Sequence, residues 1–239
     1  MHLQQIRINP EKYPTKSSYP FNLKIFEETQ SLTFQSPVTF FVGENGSGKS
    51  TLLRAICLRC GVHIWEDNER IRFQNNPFEN ELYKAIDIEW ANGSVPGSFF
   101  GSQIFQNFAQ FLDEWAVADP KMLDYFGGKS LMTQSHGQSL MSYFKSRYQR
   151  KGIYFLDEPE TALSPKSQLE LLHILKQMGD AGHAQFIIAT HSPILLSCGG
   201  AEICSFDTIP IQRIEYEATD HYLVYRDFFK SREILLSKQ

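Results

Sequence analysis

The sequence predicts an α/β fold, a mostly parallel sheet with helices on both faces. Three observations carry this. Continuous apolar runs recur at 38–42 (VTFFV), 153–156 (IYFL) and 186–189 (FIIA), which suits strands buried on both faces. Segments of helical periodicity lie between them, the alternation that gives parallel strands joined by helices. A glycine-rich loop, Gly43 to Gly48, joins the first run to a helix.

Taken in order, "LQQIRIN" alternates apolar and polar residues and reads as a strand. Pro10, Pro14 and Pro20 make 10–20 a loop. "LKIF" and "SLTFQ" are short strand candidates. After the glycine loop, "STLLRAICLRC" reads as a helix closed by Gly61. "AIDIEW" is a strand and "ANGS" a turn. In "SQIFQNFAQFLDEWAV", Ile104, Phe108, Phe111 and Trp115 recur at helical spacing, an amphipathic helix. Pro120 and "FGGKS" interrupt the pattern before a further helix, "LMSYFKSRYQR". "SPKSQLELLHILKQMGDAG" is a helix with Ser164 as N-cap and Pro165 in its first turn. "EICSFD" and "IQRIEY" are later strands, and a helix over about 222–235 closes the chain. The organisation expected is one domain over 1–239, with a helical subdomain at 103–150 inserted into the α/β alternation.

Bulk properties exclude more than they assign. With 239 residues, 42% hydrophobic and 21% charged, the composition is that of an ordinary globular chain. A net charge of −4 gives no global basic field for nucleic acid, although a local patch would still serve. No apolar run approaches the ~20 residues that span a bilayer, and "MHLQQIRINP" has no signal-peptide pattern, so a cytoplasmic location is expected. Cys57 and Cys60 form a C-x-x-C inside a helical stretch. Cys198 and Cys204 are spaced differently, so the paired spacing of a zinc site is missing and buried thiols are expected.

Four stretches carry chemistry. "GENGSGKST", 43–51, holds the G-x-x-x-x-G-K-S pattern. Its glycines let backbone N–H groups wrap phosphate oxygens. Lys49 would reach the β- and γ-phosphates and Ser50 would offer a hydroxyl to Mg²⁺, with Glu44, Asn45, Gly46, Ser47 and Thr51 lining the same loop. "IYFLDEPE" runs four apolar residues into Asp157 and Glu158. Two acids at a strand end are costly unless a cation sits there, so Asp157 is a metal candidate and Glu158 a candidate to polarise water; the alternative is a capped strand end before a proline turn. His191 in "THSP" follows the third apolar run, where such sheets bind ligands. A lone histidine is more often a satisfied core or surface residue. "QSHGQS", 134–139, puts Ser135, Gly137 and Gln138 before a helix, which makes either an anion site or a routine N-cap.

In their order along the chain (43–50, 134–138, 155–158 and His191) the four stretches resemble the ABC-type ATPase superfamily of P-loop NTPases over nearly the whole chain. The resemblance implies a mostly parallel sheet flanked by helices, a small antiparallel β region and an inserted helical subdomain. It implies ATP and Mg²⁺ as ligands, with Lys49, Glu158 and His191 catalytic and Ser50, Asp157 and a Q-loop glutamine at the metal. Gln103 fits that glutamine first and Gln74 second. The family's signature, usually L-S-G-G-Q, contacts the γ-phosphate held by another subunit. Here Ser135, Gly137 and Gln138 match it, while Gln134 and His136 depart. The implied partner is therefore a second copy of the chain in an ATP-dependent homodimer. Ser164 stands where the family's D-loop usually has Asp. Tyr13, Tyr19 and Phe21 are candidates to stack on adenine. "GENGSGKST" and "DEPETALSP" look more like compact RecF- and SMC-related ATPases than transporter subunits, and no heptad-rich insertion is present. A DNA or effector-protein partner follows from that likeness. A membrane permease partner and a nucleotide-gated scaffold are the alternatives.

Overall fold

The computed structural model describes residues 1–65, 76–126, 128, 130 and 136–236. Its main sheet has the order β5-β6-β7-β3-β8-β9. These strands are β3 (Val38–Val42), β5 (Gly97–Gly101), β6 (Gly152–Asp157), β7 (Ala184–Ala189), β8 (Glu202–Ser205) and the two-residue β9 (Gln212–Arg213). All pairings are parallel except β8 with β9. A second, antiparallel sheet has the order β2-β1-β4, from β1 (Leu3–Ile8), β2 (Ser31–Thr33) and β4 (Ile86–Trp90).

Period-two alternation explains why the central strands are apolar throughout. Phe41, Phe155, Ile187 and Ala189 point to one face and pack with α2 (Lys49–Arg59) and the small sheet. Phe40, Tyr154, Leu156, Phe186 and Ile188 point to the other. That second layer is closed by α3 (Ser102–Ala118), α4 (His136–Arg147), α5 (Pro165–Asp180) and the short α6 (Pro193–Leu196). Gln185 is the polar exception in β7. Fully buried, it accepts the N–H groups of His2 and Leu3 at 2.8 Å and donates to Leu3 O at 3.0 Å, which ties the small sheet to the large one.

Three elements differ from the sequence expectation. "LKIF" is not a strand but leads into α1 (Lys24–Glu28), which buries Ile25 and Phe26. Four residues are too few to separate a period of 2.0 from one of 3.6. "GSFFG" at 97–101, unassigned from sequence, is the edge strand β5. Gly97 is there for space, since a Cβ on it would lie 2.5 Å from Ile153 O on β6. "IQRIEY" yields only β9, because the chain turns into a short 3₁₀ segment at Tyr216–Ala218. The last helix, α7 (Asp220–Leu236), forms as expected, with non-helical backbone at Ser231. α3 and α4 follow one another between β5 and β6, where the alternation is interrupted.

Candidate functional site

The candidate site gathers at the carboxyl ends of β3, β6 and β7, the edge where open α/β sheets bind ligands. β3 runs into a loop whose glycines hold left-handed backbone: φ is +147° at Gly43, +80° at Gly46 and +103° at Gly48. Neither end of the loop has room for a side chain. A Cβ on Gly43 would come within 2.9 Å of Asp207 Oδ1, and one on Gly48 within 2.8 Å of Phe26 Cζ. The loop is fixed from outside as well, since Glu44 N–H donates to Asp207 Oδ1 at 2.8 Å.

Lys49 opens α2 and arches back over the loop. Its ammonium donates to Gly43 O at 2.7 Å and Glu44 O at 2.8 Å, and the residue is only 4% exposed. Burial lowers its pKa, against the opposing pull of Glu158, Asp207, Asp157 and Glu44. A buried cation held only by carbonyl oxygens, with carboxylates around it, is poised for a polyanion.

Ser50 links the two acidic and phosphate-loop elements. Its hydroxyl donates to Asp157 Oδ1 at 2.7 Å, and Arg54 Nε lies 3.9 Å from Asp157 Oδ2. Burial raises the Asp157 carboxyl above its ordinary range, against the Ser50 hydrogen bond. Glu158 has φ +46° and ψ +55°, the one left-handed non-glycine among the described residues. Its N–H is tied to Ala189 O at 2.9 Å, which holds the strained turn. Such strain persists where the surroundings over-determine it, commonly at functional sites. The turn directs the half-exposed carboxylate to 3.8 Å from His191 Nε2.

His191 leaves β7 through Thr190. Its N–H donates to Glu160 Oε1 at 2.6 Å, and its Nδ1 lies 2.9 Å from Nε2 of His221 on α7. Burial, followed by Lys49 and His221, lowers its pKa. Its buried Nε2 and the buried Ser47 hydroxyl make no hydrogen bond among the described residues.

Lys49, Ser50, Asp157, Glu158 and His191 are thus brought together. Gln103 sits in the first turn of α3, two residues past Gly101, the register partner of Asp157. Gly137 and Gln138 lie in the first turn of α4, on the helical segment between β5 and β6. Ser135, with Gln134 and Gln74, falls outside the described residues. Of the adenine candidates, Phe21 is corrected: it is 2% exposed and packs on Tyr13 at 4.7 Å, while the Tyr13 hydroxyl is committed to Phe26 O. Tyr19 is exposed and hydrogen-bonded to Thr51, beside a cavity of about 250 Å³ that Ser50, Thr51 and Arg54 also line. Cys57, Cys198 and Cys204 are buried and Cys60 is partly buried, and burial pushes the Cys60 and Cys204 thiols up to about 12. No metal-ligand cluster of His, Cys, Asp and Glu occurs among the described residues. Sequence reasoning missed Asp207, Glu160 and His221. Asp207 did carry a signal, an acid just past the strand "EICSF", like Asp157 at the end of β6.

The glycine loop after β3, the buried lysine and the acid at the end of β6, one strand removed from β3, are arranged as in a P-loop domain. Family models described as AAA domains match residues 21–95 and 140–197, the second being further described as a putative AbiEii toxin of a type IV toxin–antitoxin system. Over 169 residues the chain is 27% identical to the ferric enterobactin transport ATP-binding protein FepC of Escherichia coli, covering 62% of this chain and 61% of that protein. It is 23% identical over 192 residues to the probable siderophore transport system ATP-binding protein YusV of Bacillus subtilis, covering 73% and 68%. A match to the macrolide export protein MacB of Campylobacter jejuni, 25% identical, spans 64% of this chain but only 26% of that protein. Among solved structures, cbiO1 of Clostridium perfringens superposes with a TM-score of 0.52 at 15% identity, covering 98% of each chain. An Smc head bound to the C-terminal winged-helix domain of ScpA gives 0.53 at 10% identity, covering 91% and 99%. By these family models and relatives the chain is similar to P-loop ATPase domains of the ABC type. No helix among the described residues is long and apolar enough to cross a membrane.

Proposed function

We propose that the chain binds ATP with Mg²⁺ and hydrolyses it, as a switch formed by two copies closing head to tail around two nucleotides. The observation that carries this is the joined pair of elements: Ser50 bonded to Asp157, with Glu158 held in a left-handed turn facing His191.

The residues fit the ligands. Left-handed glycines and the buried Ser47 hydroxyl form an anion cradle at the start of α2. Lys49 exchanges its two carbonyl contacts for phosphate oxygens. Ser50 and Asp157 form the hard oxygen set that suits Mg²⁺, with Gln103, a residue of the first turn of α3, as the further candidate. Bound there, the ion would offset charge on the β- and γ-phosphates. Glu158 orients a water and takes its proton as the water oxygen bonds to the γ-phosphorus. The bond to the β–γ bridging oxygen breaks and ADP leaves with that electron pair. His191 Nε2 donates to a γ-phosphate oxygen, and Ser135, Gly137 and Gln138 of the second copy close the site. Catalysis is then positioning plus electrostatic stabilisation. Magnesium-dependent phosphate release tests this. Wild type should turn over, and Glu158→Gln should lose about 10²–10⁴-fold, the span of a general base. Equal turnover would remove Glu158 from the mechanism.

The output is proposed to lie with DNA maintenance or a defence effector protein, on the likeness of "GENGSGKST" and "DEPETALSP" to RecF- and SMC-related ATPases. A second reading, the ATP-binding subunit of a transporter, is supported by the names of the curated relatives. Co-purification with a membrane subunit would favour the second; DNA or a soluble protein that stimulates turnover would favour the first. A scaffold with little hydrolysis is the outcome if neither partner produces turnover.

A further inference from the structure

His191 is oriented by another imidazole. α7 brings His221 against it, with Nδ1 of His191 2.9 Å from Nε2 of His221 and ring centroids 5.1 Å apart. Burial pushes both imidazoles below their ordinary range. Lys49 adds to this for both, while Glu44 and Asp207 oppose it for both and Asp220 for His221. The pair is therefore neutral near pH 7, and each ring has one donor and one acceptor nitrogen.

Two arrangements satisfy the contact. If His191 donates from Nδ1, its Nε2 is a bare acceptor facing the Glu158 carboxylate at 3.8 Å, and it has nothing to give a phosphate oxygen. If His221 donates from Nε2, His191 keeps its proton on Nε2. The second arrangement points an N–H toward the carboxylate and replaces a repulsion of lone pairs by an attraction. The Nε2 atom is buried and makes no hydrogen bond among the described residues, so its proton is committed to no other protein group. The partner on the other ring nitrogen sets a histidine's tautomer, and that partner is often a carboxylate. A neutral imidazole does the same here without placing another negative charge beside a polyanionic ligand.

We propose that His221 is a positioning residue: its Nε2–H fixes His191 in the tautomer and orientation that present an Nε2–H to the γ-phosphate. The inference rests on the reading of His191 as the γ-phosphate contact. It also ties the phosphate site to α7, so that a displacement of that helix would withdraw the hydrogen bond.

Three variants separate the possibilities: His191→Ala, His221→Phe, which keeps a ring without a donor, and His221→Gln, which keeps an N–H at the position of Nε2. Steady-state ATPase gives kcat and KM. Long-range ¹H–¹⁵N spectra of the nucleotide-free chain give the tautomer of His191 independently of turnover. His221→Phe should lower kcat about 10–100-fold, the cost of losing an orienting partner, with KM for ATP little changed. His221→Gln should recover most of it. In wild type the His191 proton should sit on Nε2, and in His221→Phe the two tautomers should mix. His191→Ala with wild-type turnover would overturn the reading of His191 itself, and the positioning role with it. Loss in His191→Ala but not in His221→Phe, equal loss in both His221 variants, or a proton on Nδ1 of wild-type His191 would each overturn the role of His221 alone.

Discussion

At the scale of single residues, the site depends on backbone that few side chains tolerate. Gly48 combines φ +103° with a Cβ position 2.8 Å from the Phe26 ring. Gly48→Ala adds both a strained φ and a clash, so it should destabilise by more than about 1 kcal/mol and weaken ATP binding; thermal unfolding and nucleotide titration read the two effects. Titration gives a second test. His191 and His221 have pKa values below the ordinary 6.5 when folded, so the unfolded chain binds protons first as pH falls. Their contribution to stability is complete above about 6.5 and is lost below it. Asp157 and Glu160, raised by burial, act in the opposite sense. The drop in Tm between pH 7 and pH 5.5 should therefore shrink when both histidines are replaced by Phe; an unchanged drop would contradict the assignment. Lys49, Ser50, Asp157, Glu158 and His191 were legible in the sequence because each sits at a fixed step from a glycine loop or a strand end. His221 was not: it meets His191 across 30 positions, and nothing near it in the chain marks that contact.

At the scale of elements, strands and helices were legible in proportion to how strongly burial dictates their period. β3, β6 and β7 are buried on both faces, so their sequences are apolar apart from Thr39, Gln185 and the terminal Asp157. α5 is marked at its start as well: Ser164 Oγ accepts the N–H of Ser167 at 3.2 Å, and Pro165 follows it. Ser164→Ala should cost about 1 kcal/mol, roughly 2–4 °C in Tm for a chain of this size, and leave ATP binding intact. A loss of nucleotide binding in that variant would mean that Ser164 acts at the site rather than at the helix end. α1 and β5 escaped because each offers only two adjacent apolar residues, too few for a period to show. In β5 the decisive constraint is the approach of β6 to Gly97, a tertiary fact absent from local pattern.

At the scale of the whole molecule, two apolar layers clamp the sheet and leave its carboxyl edge for the site. The same arrangement leaves α3 and α4, with Gly137 and Gln138 at the start of α4, on the segment between β5 and β6. A signature on a separate segment suits a contact made to another copy. That is the central claim: one copy supplies Lys49, Asp157 and Glu158, and its partner supplies the residues around Gly137. Sedimentation of Glu158→Gln with and without Mg-ATP tests it most directly. The account predicts a monomer without nucleotide, and with it a dimer holding two ATP molecules that Gly137→Asp abolishes without weakening ATP binding to the monomer. A Glu158→Gln chain that binds ATP tightly and remains a monomer at every concentration would contradict it.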